Sequence, residues 1–463
     1  MAHLTPAERA AQGKAARAEV GRSVLGDWAP PPERRDPVEL LEEQAATRVQ
    51  ELVPIRYGRM LASPLTFFRG AAYLMASDLA GNPRTGLQVQ LCGDAHLSNF
   101  GMYAAPDRRL VFGVNDFDET LPGPFEWDLK RLVASFAVAG RDRGFDAKQR
   151  KVINLTVTRA YRKAMKSFAS MDILTEWYAR IDVDDVVQLI GKKANKKQMK
   201  KVDHVVAKTQ SRDSLKAFAK LTHLVDGEPQ ITNDPPLIVP IEDLVGPEEQ
   251  SGLDESLRGL FRSYQETLQD DRRRLLDRFR YLHAARKVVG VGSVGTSDYI
   301  VLLLGRDESS PLFLQIKEAK ASVLEPFIGK STLPQHGQRV VEGQRLLQAA
   351  SDIMLGWLRA TDRDGVERDF YVRQLWDSKG SAPIEIMDPE PLAKYAEICA
   401  WSLAKGHARS GDALAISSYL GASDAVDQAL ASFGETYAEQ NDLDYKALKA
   451  AAESGRVTAD LGV

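Results

Sequence analysis

The sequence predicts an α+β fold of two lobes with additional helices. Three observations carry that expectation. Residues 87–135 and 287–375 each join short alternating or β-branched runs through loops rich in glycine or aspartate. Elsewhere the apolar residues recur at the three-to-four spacing of helices. At 463 residues the chain is too long for one ordinary core. Hydrophobic residues at 44% and charged residues at 27% give the balance of a soluble globular protein.

Residues 1–35 are rich in Ala, Arg and Glu and end in Pro30, Pro31 and Pro32, which reads as a loosely held helical arm and a stiff linker. Pro37 to about Met60 suits a helix, and Leu61–Leu79 contains another after Ser63-Pro64. Leu87–Leu91 alternates as a strand, GDAHLSNFG follows as a loop, Leu110–Val114 is a second strand and NDFDETLPGP a second loop. Trp127–Val138 then has helical spacing. Residues 146–285 read as mostly helical, with DPPLIVP at 234–240 a proline-bounded connector. The lysine-rich run at 192–201 reads first as a solvated face, with a basic site for an acidic substrate the alternative.

Lys287–Val289, Tyr299–Leu304 and Leu312–Ile316 read as strands, Gln338–Ala350 as a helix, and Ile353–Leu358 and Phe370–Leu375 as two further strands. The remainder from Pro389 is helical. Four regions follow: an arm and linker at 1–55, a large-lobe part with a helical insertion at 56–285, a small lobe of about five strands and one helix at 286–376, and a C-terminal helical part of the large lobe at 377–463.

Chemistry concentrates in the two loop-bearing stretches. Phosphoryl transfer needs a carboxylate to orient or deprotonate a hydroxyl, and oxygen ligands to hold magnesium on nucleotide phosphates. Asp94, followed five residues later by Asn99, can supply both after a strand, and Asp116 completes the set after the next strand. Asp94 is the candidate base, and Asn99 and Asp116 are the candidate metal ligands. His96 and Asp118 are read as supports of their loops. Turn and cap residues alone would be the bland alternative.

Gly290, Gly292, Ser293 and Gly295 lie in GVGSVG, followed by Tyr299, Ile300 and Val301. That succession favours a strand–loop–strand glycine loop over ATP phosphates, since glycine lets backbone approach them closely. Lys317, ending LQIK with Gln315 on the same face, can reach phosphate as a point charge. Glu342 is the candidate partner that positions Lys317, with Glu318 and Glu325 as competitors. His407 reads as a packing or capping residue near a helix end.

GDAHLSN resembles the catalytic loop of aminoglycoside and choline phosphotransferases, and NDFDET…EWDLKRL their metal-binding segment with the helix after it. The resemblance implies that Asp94 is the base, that Asn99 and Asp116 bind magnesium, and that Asp128 braces the catalytic loop. The glycine loop and Lys317 resemble the small lobe of the same protein-kinase-like superfamily, and Tyr395–Gly411 the helix leading into the catalytic loop. The order is reversed, because the glycine loop follows the catalytic loop, as a circular permutation would leave it. Cys92 stands where such enzymes carry histidine. The stretch from about Arg56 to Asp442 is also similar to the bacterial family called domain of unknown function 2252, through RMLASPLTFFRG, CGDAHLSNFG, GVGSVG, LQIKEA, RVVEGQRLLQ and HARSGD.

The expected activity is transfer of a phosphoryl group from ATP, with Mg2+, to a hydroxyl on an unknown small molecule or protein. A nucleotide-binding pseudokinase or regulatory protein, a metal-dependent phosphoester hydrolase built on Asp94, His96, Asp116 and Asp118, and an AMP transferase are the alternatives. The net charge of −3 gives no global reason to expect nucleic acid. Two distant cysteines, no apolar leader and no spanning run predict a cytoplasmic protein without a membrane partner.

Overall fold

The computed structural model describes residues 4–191, 203–204, 206–211, 213–244, 247–288, 294–361, 365–375 and 378–462. The lysine run at 192–201 and the candidates Gly290, Gly292 and Ser293 lie outside the described residues. The architecture is α+β, as the sequence predicts.

A six-stranded antiparallel sheet carries the order Gly356–Thr361, Glu367–Gln374, Pro311–Ala319, Asp298–Leu304, Arg280–Lys287, Ile238–Pro240. Five of these strands contain or overlap the expected ones. The sixth corrects the reading of DPPLIVP as a connector. Ile238 and Val239 pair with Lys287 and Arg286 at the sheet edge, where Pro240 has no interior ladder bond to forfeit. The expected helical run at 146–285 is broken further by the hairpin Thr222–Val225 with Glu228–Ile231. Short segments between prolines and glycines leave too few residues for a period to declare itself.

The sheet face is set by alternation. Asp298, Lys317 and Tyr371 stand in register on three neighbouring strands, and Gln315 pairs with Arg373 two residues along. The helix His336–Leu347, capped by Gln335 through Gln338 N at 3.1 Å, lies across that side.

The largest core belongs to a helical body. Phe125–Asp142 and Ala147–Phe168, from the first half of the chain, pack with Pro389–Ser410 and Ala425–Glu453 from its end. Phe125, Leu129, Leu132, Val133 and Phe136 share one buried cluster with Leu392, Cys399, Leu403, Leu430 and Phe433. Two small antiparallel pieces cap this body: Gln88–Leu91 with Leu121–Pro124, and Phe100–Ala104 with Leu110–Val114. The end of Pro389–Ser410 meets the start of the first strand, where Gln90 N donates to Ser410 Oγ at 3.1 Å.

The N-terminal arm is not loosely held. Its helix Pro6–Glu19 starts from a Thr5–Glu8 capping box and packs against Ala413–Leu420. Arg22 Nη1 donates to Leu420 O at 3.0 Å. Arg34 binds both Asp78 and Asp444 through bonds of 2.7–2.8 Å. The expected linker is therefore anchored by charge that local composition does not reveal.

Candidate active site

The helix Phe125–Asp142 builds the first loop. Three of its side chains, spaced three and four residues apart on one face, take hold of residues 92–97. The Asp128 carboxylate accepts Cys92 N at 2.7 Å and Gly93 N at 3.0 Å. Arg131 Nε bonds Asp94 Oδ1, and Ser135 Oγ accepts Leu97 N at 3.0 Å. Gly93 adopts φ +86° with its α-carbon against Glu119 O, a conformation and a contact that a side chain would forbid.

Within the loop, Asn99 Nδ2 donates to Asp94 O at 2.9 Å, which leaves the amide oxygen to serve as a ligand. His96 Nδ1 accepts Ser98 N at 3.2 Å, and its other ring nitrogen lies 3.6 Å from Asp94 Oδ2. Burial, with Arg69 and Arg131 nearby, holds the His96 ring well below its ordinary pKa, so it is neutral. Burial raises the Asp94 carboxyl, against the opposing charge of Arg131.

Behind this loop His407 links two elements. Tyr161 Oη lies 2.7 Å from His407 Nδ1, and His407 Nε2 lies 3.2 Å from Asp128 Oδ2. His407 is fully buried, and its packing role includes orienting the carboxylate that holds Cys92 and Gly93.

The second loop meets the sheet. Lys317 Nζ lies 2.5 Å from Asp118 Oδ2, across 199 residues of sequence. Tyr371 Oη donates to Asp118 Oδ1 at 2.6 Å, and the Lys317 ammonium sits 5.5 Å from the Tyr371 ring centre. Burial would push Asp118 up, but Lys317, Tyr371 and Arg373 together bring it down to about 2. Asp116 is raised by burial and by Asp118, while Lys317 and Arg373 oppose. The two loops share a field, because Asp116 acts on Asp94 and Arg69 acts on both.

The structure brings Asp94, Asn99, Asp116, Asp118, Asp128 and Lys317 to one region, with His96 beside Asp94. Gly295, at φ +88°, is held by the segment before residue 53: its carbonyl accepts Val49 N at 2.8 Å, and Arg48 Nη1 donates to Val294 O at 2.6 Å. Glu342 is a correction. Its side chain is exposed and faces Arg345 at 3.9 Å, so it does not position Lys317. Glu318 is also turned away, accepting Ser297 N at 2.8 Å and Arg368 Nη1 at 3.0 Å. The helix His336–Leu347 instead contributes Arg339, whose guanidinium donates to Thr120 O at 2.6 Å and to Asp118 O at 2.8 Å.

Several residues of this region lie outside the motifs that the sequence marks. Arg131 was legible as the +3 neighbour of Asp128, and Asp298 as the acid that follows the glycine loop before Tyr299. Asp298 is buried, leaves Oδ2 without a hydrogen bond, and is pushed by burial to about 7. Arg69, Tyr371 and Arg373 carry no local signal.

A family model described as an uncharacterized protein conserved in bacteria, DUF2252, matches residues 48–451. The chain belongs to the DUF2252 family. The matched region begins at Arg48, the residue on Val294, and includes both loops, Lys317 and His407. No curated protein and no solved structure matches the chain. Among the described residues no helix of this DUF2252 protein is long and apolar enough to cross a membrane.

Proposed function

We propose that this DUF2252 protein is an ATP- and magnesium-dependent phosphotransferase of protein-kinase-like, circularly permuted design. The observation that carries the reading is the Lys317–Asp118 contact, which joins the glycine-loop sheet to the acid-bearing loop. Two further features support it. The strands from Arg280 to Gln374 form one antiparallel sheet in which Glu367–Gln374 inserts beside the strand of Lys317, leaving that strand central. The Ser410–Gln90 bond lies at the connection that a permutation would have cut.

Asp94 acts as base in this reading. Arg131 occupies Oδ1, so Oδ2 takes the acceptor proton as the acceptor oxygen bonds to the γ-phosphorus and the bond to the ADP oxygen breaks. Its raised pKa suits that exchange. Lys317, kept charged by Asp118, faces the phosphates as a fixed positive charge. Among the described residues no three His, Cys, Asp or Glu side chains form an all-protein metal cage. Magnesium on a nucleotide needs none, since one or two carboxylates and the phosphates suffice, and Asp116 with the Asn99 amide oxygen would hold it. Bound there, the ion supplies charge neutralisation on the phosphates.

The test is thermal and isotopic. ATP with magnesium at one hundred times its Kd stabilises by about 2.7 kcal/mol, and Lys317→Ala removes most of that shift. Label from the γ-position of ATP is expected on an acceptor from fractionated lysate. Label from the α-position would mean AMP transfer, and no shift at millimolar ATP would end the nucleotide reading. A Lys317→Ala variant fully active on a non-nucleotide phosphoester would favour the hydrolase.

A further inference from the structure

The helix Ala147–Phe168 contains no acidic residue, although the whole chain has a net charge of −3. Two of its cations are internal: Arg150 pairs with Glu435 at 3.1 Å and Arg162 with Asp427 at 2.7 Å. Lys148, Lys151, Arg159, Lys163 and Lys166 are exposed, with no carboxylate partner among the described residues. At about 100° per residue these five fall within an arc of roughly 120°, a single stripe along the outer face.

Exposed apolar residues follow the stripe in sequence. Directly after the helix, Ile173 is 79% exposed, Leu174 68%, Tyr178 69%, Trp177 39% and Met171 37%. All of these but Met171 ride on a short helix, Ile173–Tyr178. Asp172 caps it through Thr175 N at 3.0 Å, and the Arg409 guanidinium stacks 3.7 Å from the centre of the Trp177 ring. Of the acids here, Asp172 is used by the cap, and Glu176 is half-buried, its carboxyl raised by burial against the opposing charges of Arg409 and Lys405.

We propose that this face docks the protein peripherally on an anionic lipid surface. The stripe supplies attraction to headgroup phosphates, and Ile173, Leu174, Trp177 and Tyr178 enter the boundary of the acyl region, where aromatic rings with polar tips reside. Nucleic acid would satisfy the cations but leave Ile173 and Leu174 in water, so the apolar tip selects the bilayer. Net charge conceals the patch because acids elsewhere cancel it, and an interfacial segment need not be long enough to span.

The full chain is tested by co-sedimentation with phosphatidylglycerol-containing vesicles and with pure phosphatidylcholine vesicles. Binding is expected only to the former, weakening as salt rises. Lys148→Gln/Lys151→Gln/Lys163→Gln is expected to lower partitioning about five-fold per charge at low salt. Ile173→Ser/Leu174→Ser is expected to abolish it with all charges present. Both variants keep Lys192 to Lys201, so the loss belongs to the helix face, and unchanged melting temperatures show that they fold. The proposal is overturned if neutral vesicles bind equally, or if either variant partitions like the parent. It is also overturned if a short DNA duplex binds instead and only the lysine variant loses it, or if the chain merely dimerises through Leu174.

Discussion

At Lys317 the decisive chemistry is a buried charge held against Asp118. The ammonium is 3% exposed and the Asp118 side chain 26%. Removing one member of such a pair strands the other, at about 3–5 kcal/mol when both are buried, and the partial exposure of Asp118 places this pair at the lower end. Lys317→Met and Asp118→Asn should therefore each lower the urea midpoint, while the double variant recovers part of the loss, a coupling that a double-mutant cycle reads directly. Because the folded Asp118 value is depressed, its contribution is present above about pH 4 and is lost as the pH falls toward about 2. Asp298 behaves oppositely. Its folded carboxyl, raised to about 7, binds a proton that the unfolded chain releases near pH 4, so it makes stability fall as pH rises across that window. Asp298→Asn should remove that slope: the melting temperature of the variant relative to the parent should climb from pH 4 to 7 and then level. A constant difference would refute the assignment.

Among the elements, the two site helices divide what was legible. Asp128 was found through the motif it resembles, but Arg131 and Ser135 were not. Apolar spacing marks the helix, but every residue from Phe125 to Gly140 is buried, polar side chains included, so spacing does not single out Arg131 and Ser135. On His336–Leu347 the sequence pointed to Glu342 because an acid is the familiar partner of such a lysine, whereas alternation of the preceding strand and the lie of the helix bring Arg339 inward instead. Gly343 carries the consequence, since its α-carbon lies directly against the Thr120 side chain. Gly343→Val should push the helix off the acid-bearing loop, destabilise by about 1–3 kcal/mol and reduce the ATP-dependent shift. Glu342→Ala, at an exposed site, should change stability by less than about 0.5 kcal/mol and leave the shift intact. If Glu342→Ala instead abolished the shift, the helix placement would be wrong.

For the whole molecule, the N-terminal arm is the clearest test. Composition marked residues 1–35 as loose, yet Arg34 draws Asp78 and Asp444 together, with Asp78 also accepting Tyr437 Oη at 2.8 Å. Arg34 is raised far above its ordinary value: burial opposes its charge, and the two carboxylates outweigh burial. Arg34→Ala leaves two acids facing each other in the interior and should cost about 3–5 kcal/mol. Deleting residues 1–35 should lower the melting temperature comparably, whereas a loose arm would leave it unchanged.

What the sequence determined by itself was local. The strands around residues 88–114 and 298–319, the helix after the NDFD loop and the identity of the acid-bearing loops follow from periodicity and turn chemistry within a dozen residues. What only the tertiary structure decided was partnership: Asp118 rather than Glu342 for Lys317, His407 behind Asp128, the edge strand Ile238–Pro240, and the anchored arm. Those choices depend on which groups meet after the chain has folded across separations such as the 199 residues between Asp118 and Lys317, and on burial that turns an ordinary surface charge into an obligatory partner.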